Sequence, residues 1–404
     1  MTRYSFIFLF YLGLTSTWVF GNSVNLDERP RVYKISPKSL MEAKLGYLNR
    51  NYSHKASLEL LFKDAAVSLK AHTPSVMEKA GSAASGNKHD YLSQAPYYWI
   101  DPKHPEAGYV RKDGEHNPEA TENSDSDNFK IVCAQVETLA LAYYISGDEK
   151  YAQKATQFLR VWFLNPATQM NPNLNYGQGI PGQVEGRPQG LISVACLVDC
   201  VDALGLLEES RSWTSEDRNG MKQWLSAYFT WLTTSKMGLG EKKAKNNHGT
   251  LYDTQAVALA LYLGKSDFAK NLLRSVMHER IDIQITHEGK QPLELARTRS
   301  LHYSLKNLQG LVDLATMAEA QGIDLWHYES PQGGSILKAI QFLAPYADDK
   351  NKWPYKQIDK VNFDVLLDIL QRSLPHYPNS HLGQALSNFD PDDITTDRRN
   401  ILYF

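Results

Sequence analysis

The stretch LALAYYISGDEKYAQKATQFL (139–159) has the pattern of a helical hairpin. Its first half is apolar and ends at a glycine, and an acidic residue then begins a second, amphipathic half. The stretch VALALYLGKSDFAKNLLRSV (257–276) repeats these features in the same order. Helical hairpins that recur along a chain stack side by side, because each buries its apolar face against the next. We therefore expect a toroid or a solenoid.

Helical periodicity extends well beyond these two hairpins. We predict helices near 127–146, 149–164, 190–206, 215–235, 248–263, 266–280, 303–321, 334–346 and 360–373. Their connections are short and contain glycine, aspartate or asparagine, as antiparallel helix pairs require. Strand-like alternation is scarce outside 281–286. The sequence thus predicts an all-α protein, an (α/α) toroid formed as an incomplete barrel of antiparallel hairpins, with long loops over a cleft.

The composition is that of a soluble globular protein, with 42% apolar and 22% charged residues among 404. The net charge of −2 gives no global basic field, so we expect no nucleic-acid partner, and an acidic ligand would need a local cluster of cations. We expect buried free thiols at Cys133, Cys196 and Cys200, and no metal or cofactor, because no further ligand pair at zinc spacing accompanies them. Residues 124–127 superficially suggest a calcium loop, but capping of the following helix explains them better.

The N-terminus has the features of a secretory signal peptide at 1–21. Arg3 precedes an apolar run at 6–14, and a small-residue pattern ending at Gly21 would leave Asn22 first in the mature chain. No cysteine follows the run, which argues against a lipoprotein anchor, and no other stretch is comparable to a membrane span. We expect a periplasmic or secreted protein with no membrane contact after cleavage.

Between residues 72 and 123 the helical pattern stops, and the chain becomes rich in glycine, proline, serine, asparagine and aromatic residues. A loop of this length in a compact domain is usually either functional or disordered. Its aromatic residues argue against disorder, because they give it apolar area with which to dock. They are Tyr91, Tyr97, Tyr98, Trp99 and Tyr109. We predict that 72–123 is a lid or substrate loop.

Two shorter polar inserts interrupt the helices. The first, at 163–190, is rich in amide side chains and contains Arg187, and the second, at 287–304, contains Arg297 and Tyr303. Amides bond to sugar hydroxyls, and aromatic faces stack on sugar rings. Loops of this composition above a helical scaffold are therefore suited to carbohydrate.

The stretch KNNHGTLYD (245–253) places amide, imidazole, phenol and carboxylate groups at the mouth of an apolar helical segment. If the segment is helical, His248, Tyr252 and Gln255 share one face. Two interpretations are open. Either Asn247 caps the helix and His248 is a hydrogen-bonded core histidine, or both belong to an active site.

Four motifs together resemble those of the alginate lyase-like polysaccharide lyases. They are NNHGTLYD (246–253), ELARTRSLHY (294–303), the segment from LAYYIS to GIPG (141–182) and SGNKHDYLSQAPYYWIDP (85–102). The resemblance covers about 85–305. It implies an α/α toroid, a single catalytic domain at 22–404, and cleavage of uronate polymers by β-elimination.

The resemblance also implies which residues are catalytic. Asn247 and His248 match the family's paired asparagine and histidine, Arg297 its carboxylate-binding arginine, and Tyr303 its catalytic tyrosine. Arg297 and Tyr303 are one residue closer together than in classical alginate lyases, which indicates a sibling family, some of whose members act on glucuronan. A separation of six residues does not share a helix face, so we expect Arg297 on the loop and Tyr303 at the start of the next helix.

The chemistry of elimination explains these residue types. Removing the C5 proton of a uronate would place a second negative charge beside its carboxylate, so that carboxylate must be neutralised first, by Arg297 and Asn247. For mannuronate or glucuronate, Tyr303 could both take the proton and protonate the leaving oxygen. We expect a nearby arginine and histidine to favour its phenolate. His248 would orient Tyr303 or bind the carboxylate, and for guluronate it would be the base.

Further residues are candidates for substrate binding, although each also has a structural explanation within its loop. Lys88 could act as a lid lysine that binds a uronate carboxylate. The remaining candidates are His89, Tyr91, Tyr98 and Trp99 in the lid, Gln178 and Arg187 in the first insert, and Arg299 and His302 beside the catalytic pair.

We therefore predict a polysaccharide lyase that acts on a β-1,4-linked uronan, poly-mannuronate alginate or glucuronan, with an anionic polysaccharide as its partner. One alternative is a toroidal glycoside hydrolase that uses two carboxylates, with Glu185 and either Glu294 or Asp253 as candidates. Another is a sugar-binding protein without catalytic activity.

Overall fold

The computed structural model describes residues 29–51, 54–122, 124–347 and 352–403. The predicted signal peptide at 1–21 lies outside the described residues.

The described chain is mainly helical. Its first part contains α1 (Pro37–Leu48), α2 (Lys55–Ser68), α3 (Glu119–Glu122), α4 (Ser126–Ser146), α5 (Glu149–Leu159), α6 (Leu197–Leu206), α7 (Ser215–Thr234) and α8 (Lys236–Lys242). Its second part contains α9 (Asn247–Tyr262), α10 (Ser266–Val276), α11 (Asp282–Gln284), α12 (Pro292–Leu295), α13 (Ser300–Glu319), α14 (Ile336–Leu343), α15 (Asp364–Ser373), α16 (Leu382–Ala385), α17 (Pro391–Thr396) and α18 (Asn400–Tyr403). The strands are β1 (Leu92–Gln94), β2 (Tyr98–Ile100), β3 (Tyr109–Arg111) and β4 (Tyr176–Gly179).

Neighbouring helices pack in a curved row. Helix α4 packs against α1, α2, α5 and α6, and α6 leads on to α9. Helix α9 packs against α7, α8, α10 and α13, and α13 continues the row to α14 and α15. The last helix, α18, returns to α1 and α2, and the guanidinium of Arg372 in α15 lies 4.7 Å from the ring centre of its Tyr403. The fold is the all-α toroid that the sequence predicts.

The two hairpins of similar sequence form successive pairs in this row, α4 with α5 and α9 with α10. Helix α9 buries every residue from Gly249 to Leu261, whereas α10 buries a single apolar face. Gly147 and Gly264 end the first helix of each pair with φ near +71° and +74°, a conformation that glycine adopts without steric cost. Helix α9 is therefore buried on all sides because helices surround it.

The lid segment 72–123 is ordered by short strands rather than being an irregular loop. Strands β2 and β3 form an antiparallel hairpin in which Trp99 pairs with Val110. Strand β1 pairs in parallel with β4, so that Leu92 lies beside Tyr176 of the first polar insert. The two long inserts are thus joined at one face of the toroid.

Several predicted boundaries were wrong because the chain changes helix type. The predicted helix at 190–206 is a 3₁₀ segment at Pro188–Val194 followed by α6. Helices α5 and α10 end earlier than predicted, in π-helical turns at Arg160–Leu164 and Met277–Ile281. The strand-like stretch at 281–286 forms the end of the second π turn and α11.

Residues 124–127 were predicted to cap α4, and Asp125 does occupy the N-cap position, while Ser124 Oγ accepts the Ser126 backbone N–H at 3.1 Å. The Asp125 side chain accepts no capping hydrogen bond. Instead it is fully buried, accepts the Leu92 backbone N–H at 2.8 Å, and pairs with the ammonium of Lys79 at 3.0 Å. It therefore fastens the lid segment to the start of α4.

Two expectations about apolar stretches can be compared with the structure. Cys133 and Cys200 are buried free thiols as predicted, whereas Cys196 is only half-buried. The stretch Pro188–Leu206 is long and apolar enough to cross a membrane, contrary to our expectation, but 61% of it is buried inside the fold. Burial of that extent is typical of a core helix in a folded domain.

Candidate active site

A cavity of about 580 Å³ lies where the lid segment and the first insert cover the starts of α9 and α13. Eight of the predicted site residues line it: Tyr98, Gln178, Arg187, His248, Arg297, Arg299, His302 and Tyr303. In all, its lining contains six arginines and lysines but only two carboxylates, those of Asp127 and Glu241. The cavity therefore concentrates positive charge in a chain whose net charge is −2.

Tyr303 lies in the first turn of α13 and Arg297 on the loop before it, as the spacing predicts. The guanidinium of Arg297 is stacked 4.0 Å from the Tyr303 ring centre. The Tyr303 hydroxyl donates a hydrogen bond of 2.6 Å to the hydroxyl of Tyr97, a lid residue. Three groups from two separate segments thus meet at one point of the cavity.

The neighbouring arginines favour the Tyr303 phenolate as expected, but other effects outweigh them. Burial raises the pKa of Tyr303 well above its ordinary value, and the hydrogen bond to Tyr97 raises it further. Arg297 and Arg299 lower that pKa, but by less. Tyr303 is therefore a phenol at neutral pH, positioned to donate a proton.

Arg297 already has an anionic partner in the lid. Its Nε lies 3.1 and 3.0 Å from the two carboxylate oxygens of Asp113, and its Nη2 lies 2.7 Å from Oδ1. Burial raises the pKa of Asp113, but hydrogen bonds from Arg297 and Thr298 outweigh it and hold that pKa well below its usual range. This pair fastens the lid to the loop before α13.

Asn247 begins α9 but is fully buried and does not line the cavity, which its neighbour Asn246 does. Its backbone N–H and its side-chain amide donate to the two carboxylate oxygens of Glu294, at 2.6 and 2.8 Å. Asn246, not Asn247, is the N-cap, and its side chain makes no capping bond. Asn247 is therefore held by Glu294, which is the anion at this helix N-terminus, and it exposes no side-chain donor to the cavity.

His248 lines the cavity, and a contact at its Nδ1 orients the ring. Its Nδ1 lies 2.5 Å from Oε1 of Glu241, a buried residue of α8. Because a carboxylate can only accept, the proton of the ring is on Nδ1 and Nε2 is left for the substrate. Glu241 was not predicted as a site residue.

A buried ion pair holds the turn that carries Glu241 and His248. Arg280 donates to the carboxylate of Asp253 at 2.8 Å, and also to the backbone carbonyls of Lys242 and Ala244. A Cβ on Gly249 would lie 2.1 Å from the Ala244 carbonyl oxygen, so only glycine allows this approach. The α8–α9 turn is therefore fixed by the scaffold.

The polar insert contributes Arg187 as part of a rigid unit. Its Nε and Nη2 donate to the backbone and side-chain oxygens of Gln178, at 2.9 and 2.8 Å, and its guanidinium lies 5.0 Å from the ring centre of Tyr98. Gln178 has a φ of +49°, a strained value for a residue other than glycine. Burial lowers the pKa of Arg187.

The exposed face of α13 completes the wall. Arg299 pairs with Asp359 at 2.6 Å, and burial together with Arg299 lowers the pKa of His302 to about 4, so its imidazole is neutral at pH 7. Lys306 lies three residues after Tyr303 and also lines the cavity, although we did not predict it. Burial lowers the pKa of Lys306 to about 8.

Four predicted substrate residues do not line the cavity but pack the lid segment instead. Tyr91 is fully buried in the core. The indole N–H of Trp99 donates to the Glu115 backbone carbonyl. Lys88 donates to the Lys79 carbonyl at 3.2 Å, and His89 Nδ1 lies 2.6 Å from the Gln169 carbonyl oxygen. Their aromatic and polar groups are used to fold the loop.

The carboxylates considered for a hydrolase are not arranged for that chemistry. Asp253 is buried and paired with Arg280, and Glu294 is buried and bonded to Asn247. Glu185 is exposed and lies outside the cavity. The pair of facing carboxylates that hydrolysis requires is therefore not formed by these residues.

Comparison with known proteins agrees with this geometry. A sequence profile described as "Alginate lyase" matches residues 75–353. An alginate lyase from Bacteroides ovatus is 38% identical, with a TM-score of 0.87 over 92% of this chain and 99% of that one. The chain belongs to the alginate lyase family. It is thus a polysaccharide lyase with an anionic polysaccharide as substrate.

More distant alginate lyases share the fold. The alginate lyase A1-III of Sphingomonas species A1 is 16% identical, with a TM-score of 0.59 over 93% of this chain and 96% of that one. A variant of alginate lyase A1-III in complex with a tetrasaccharide gives 16% identity and a TM-score of 0.60 over the same shares. A search of curated protein sequences finds no match.

Proposed function

We propose that this lyase cleaves a β-1,4-linked uronan, poly-mannuronate alginate or glucuronan, by β-elimination centred on Tyr303. The observation that supports the proposal is the position of the Tyr303 hydroxyl, which is buried in a cation-rich cavity between Tyr97 and Arg297. In the reaction, a base removes the C5 proton, the C4–O bond breaks, a C4=C5 double bond forms, and an acid protonates the departing oxygen.

Tyr303 fits the role of the acid directly, because its raised pKa keeps the phenol protonated. In mannuronate or glucuronate the C5 proton and the leaving oxygen can lie on one face of the ring. A single tyrosine could then serve both steps, once it has lost its proton. The raised pKa makes that ionised form scarce at neutral pH, so kcat/KM should rise as the pH increases.

A second assignment is favoured by the bond between His248 and Glu241. It leaves Nε2 of His248 facing the cavity as a base. Guluronate places its C5 proton on the opposite face from that of mannuronate, so its cleavage would use His248 as base and Tyr303 as acid. In that case the rise of kcat/KM with pH should not depend on the ionisation of Tyr303.

The test is to incubate the protein with poly-mannuronate, glucuronan and poly-guluronate while measuring ultraviolet absorbance. Only a lyase forms the conjugated C4=C5 uronate, whereas a hydrolase releases saturated sugars and a binding protein releases none. Tyr303→Phe should abolish the absorbance change, while polymer binding largely survives. Normal turnover in this variant would remove Tyr303 from the mechanism, and saturated products from the wild type would favour the hydrolase.

A further inference from the structure

The cations that line the cavity differ in whether they already have a partner. Five of the six are paired or bonded within the protein: Arg297 and Arg111 with Asp113, Arg299 with Asp359, Lys130 with Asp127, and Arg187 with the oxygens of Gln178. The side-chain ammonium of the sixth, Lys306, makes no hydrogen bond or ion pair with any residue that the structure describes. Among the described residues that line the cavity, Lys306 is therefore the one cation whose charge is not already paired or hydrogen-bonded within the protein.

Lys306 lies on the same face of α13 as Tyr303, one helical turn further on. The charged and titratable groups around it are Lys130 of α4, Arg299 just before α13, His302 on α13 itself, Glu294 of α12 and Cys196 before α6. Glu294 is buried and engaged by Asn247, so it offers no oxygen to Lys306 in this arrangement. The ammonium thus faces the cavity in a locally positive, half-buried setting.

An unpaired ammonium in such a setting is costly, because burial removes water without replacing it by a partner. An anion that enters the cavity would supply the missing partner. Arg297 and Asn247, predicted to neutralise the uronate carboxylate, are instead engaged by Asp113 and Glu294. Arg297 keeps its charge beside Tyr303 but shares it with Asp113, so the charge of Lys306 is the one that a carboxylate of the substrate could pair with directly.

We propose that Lys306 binds a uronate carboxylate within the cavity and provides an unpaired positive charge one helical turn from Tyr303. This inference rests on the proposed function, and it adds a residue that fixes the position and the charge preference of the substrate. Arg297 is then a positioning residue, which holds the lid through Asp113 and covers the face of the Tyr303 ring.

The first test measures binding without turnover, in a Tyr303→Phe background. Two probes are used: an oligomer of whichever uronan the wild type cleaves, and the same oligomer with its carboxylates converted to methyl esters. Lys306→Met should weaken binding of the acid by about ten- to hundredfold, since one charge-assisted contact is lost. It should weaken binding of the ester by less than about twofold, because the ester offers no charge for that contact. A misfolded variant would lose both probes equally.

Lys130→Met is the matched control, since it removes a lysine of the same cavity that is already paired with Asp127 at 2.9 Å. It should lose several-fold less affinity for the acid than Lys306→Met does. Equal losses in the two variants would mean that the cavity attracts polyanions by its overall charge only.

The second test uses turnover. Because burial lowers the pKa of Lys306 to about 8, the wild-type KM should rise as the pH increases beyond that value. Lys306→Arg keeps its charge at high pH, so its KM should stay flat across the same range. A KM that rises equally in both proteins would overturn the role of Lys306.

The two proposals fail in different ways. If the wild type releases unsaturated products but Lys306→Met binds the acid oligomer as tightly as its parent, the role of Lys306 is wrong and the lyase assignment stands. If the wild type neither binds nor cleaves any of the three uronans, the proposed function fails, and the inference about Lys306 fails with it.

Discussion

The two walls of the cavity are held in different ways. The wall at the start of α9 is held by the scaffold itself, through the pairs Arg280–Asp253 and His248–Glu241. The wall at the start of α13 is held by the lid segment, through Asp113 and Tyr97. The first wall is therefore formed with the toroid, whereas the second is complete only when the lid is docked. Substrate entry and product release would require only the second wall to open, by movement of the lid segment.

The largest effect is expected from a substitution that disrupts the scaffold wall, the wall at the start of α9. Arg280→Met leaves the buried carboxylate of Asp253 without its partner and removes the donors to the Lys242 and Ala244 carbonyls. Loss of one member of a buried pair costs about 3–5 kcal/mol. We expect the free energy of unfolding, measured by denaturant titration, to fall by about that amount, and activity to fall with it.

The double variant Arg280→Met, Asp253→Leu is the control, since it removes both charges. It should recover a large part of the lost stability, because apolar residues can replace a buried pair at little cost. If the single variant keeps its stability and loses only activity, the pair serves the reaction rather than the frame, and the contrast between the two walls is wrong on this side.

A smaller effect is expected on the lid wall. Asp113→Asn removes the charged acceptor that Arg297 and Thr298 share. Charge-assisted hydrogen bonds contribute about 1.5–3 kcal/mol, so kcat/KM should fall by about ten- to hundredfold. The free energy of unfolding of the toroid should change little, because the lid segment lies outside the helical row.

The pH dependence of this docking follows from the sign of the shift at Asp113. Its pKa is depressed in the folded protein, so its contribution to lid docking is present above the pKa of the unfolded chain, about 3.9, and is lost as the pH falls towards the depressed value. Asp101→Asn, an exposure-matched change elsewhere in the lid, should leave kcat/KM near that of the wild type. A loss for Asp101→Asn as large as for Asp113→Asn would contradict specific docking.

The same contrast explains how much could be predicted from the sequence. The apolar run of α9, the glycine that ends it and the position of Tyr303 at a helix start depend on local spacing, and these predictions were confirmed. The partners Asp113 and Tyr97 lie 184 and 206 residues from the groups that they contact. The periodicity of a sequence carries no information on contacts between residues so far apart, so the structure of the lid wall could not be predicted from it.

Two further site residues that we did not predict lie close in sequence to residues that we did predict. Lys306 follows Tyr303 at helical spacing, on the face of the helix that Tyr303 occupies, which is a reason to ask what a lysine binds there. Glu241 lies seven residues before His248, but its role depends on the turn between α8 and α9, which Arg280 fixes. Composition predicted correctly that the lid is ordered, but not that Lys88, His89, Tyr91 and Trp99 would be used to pack it.

The smallest expected effect sharpens the contrast at the point where the lid meets Tyr303. Tyr97→Phe keeps the ring but removes the hydroxyl that accepts the Tyr303 hydrogen bond. Loss of one such bond changes rates by about two- to tenfold. The bond to Tyr97 raises the pKa of Tyr303, so its removal lowers that pKa and makes the phenolate easier to form.

The measurement is the pH profile of kcat/KM for Tyr97→Phe beside that of the wild type. If Tyr303 is the base, the rise of kcat/KM with pH should begin at a lower pH in the variant. If His248 is the base and Tyr303 only the acid, the rising limb should stay in place, and the variant should instead lose activity earlier at high pH, because its acid ionises sooner. Tyr98→Phe is the control, since its hydroxyl contacts Arg187 rather than Tyr303, and it should move neither limb. The direction in which the profile moves therefore decides which wall supplies the base, the scaffold wall with His248 or the lid-dependent wall with Tyr303.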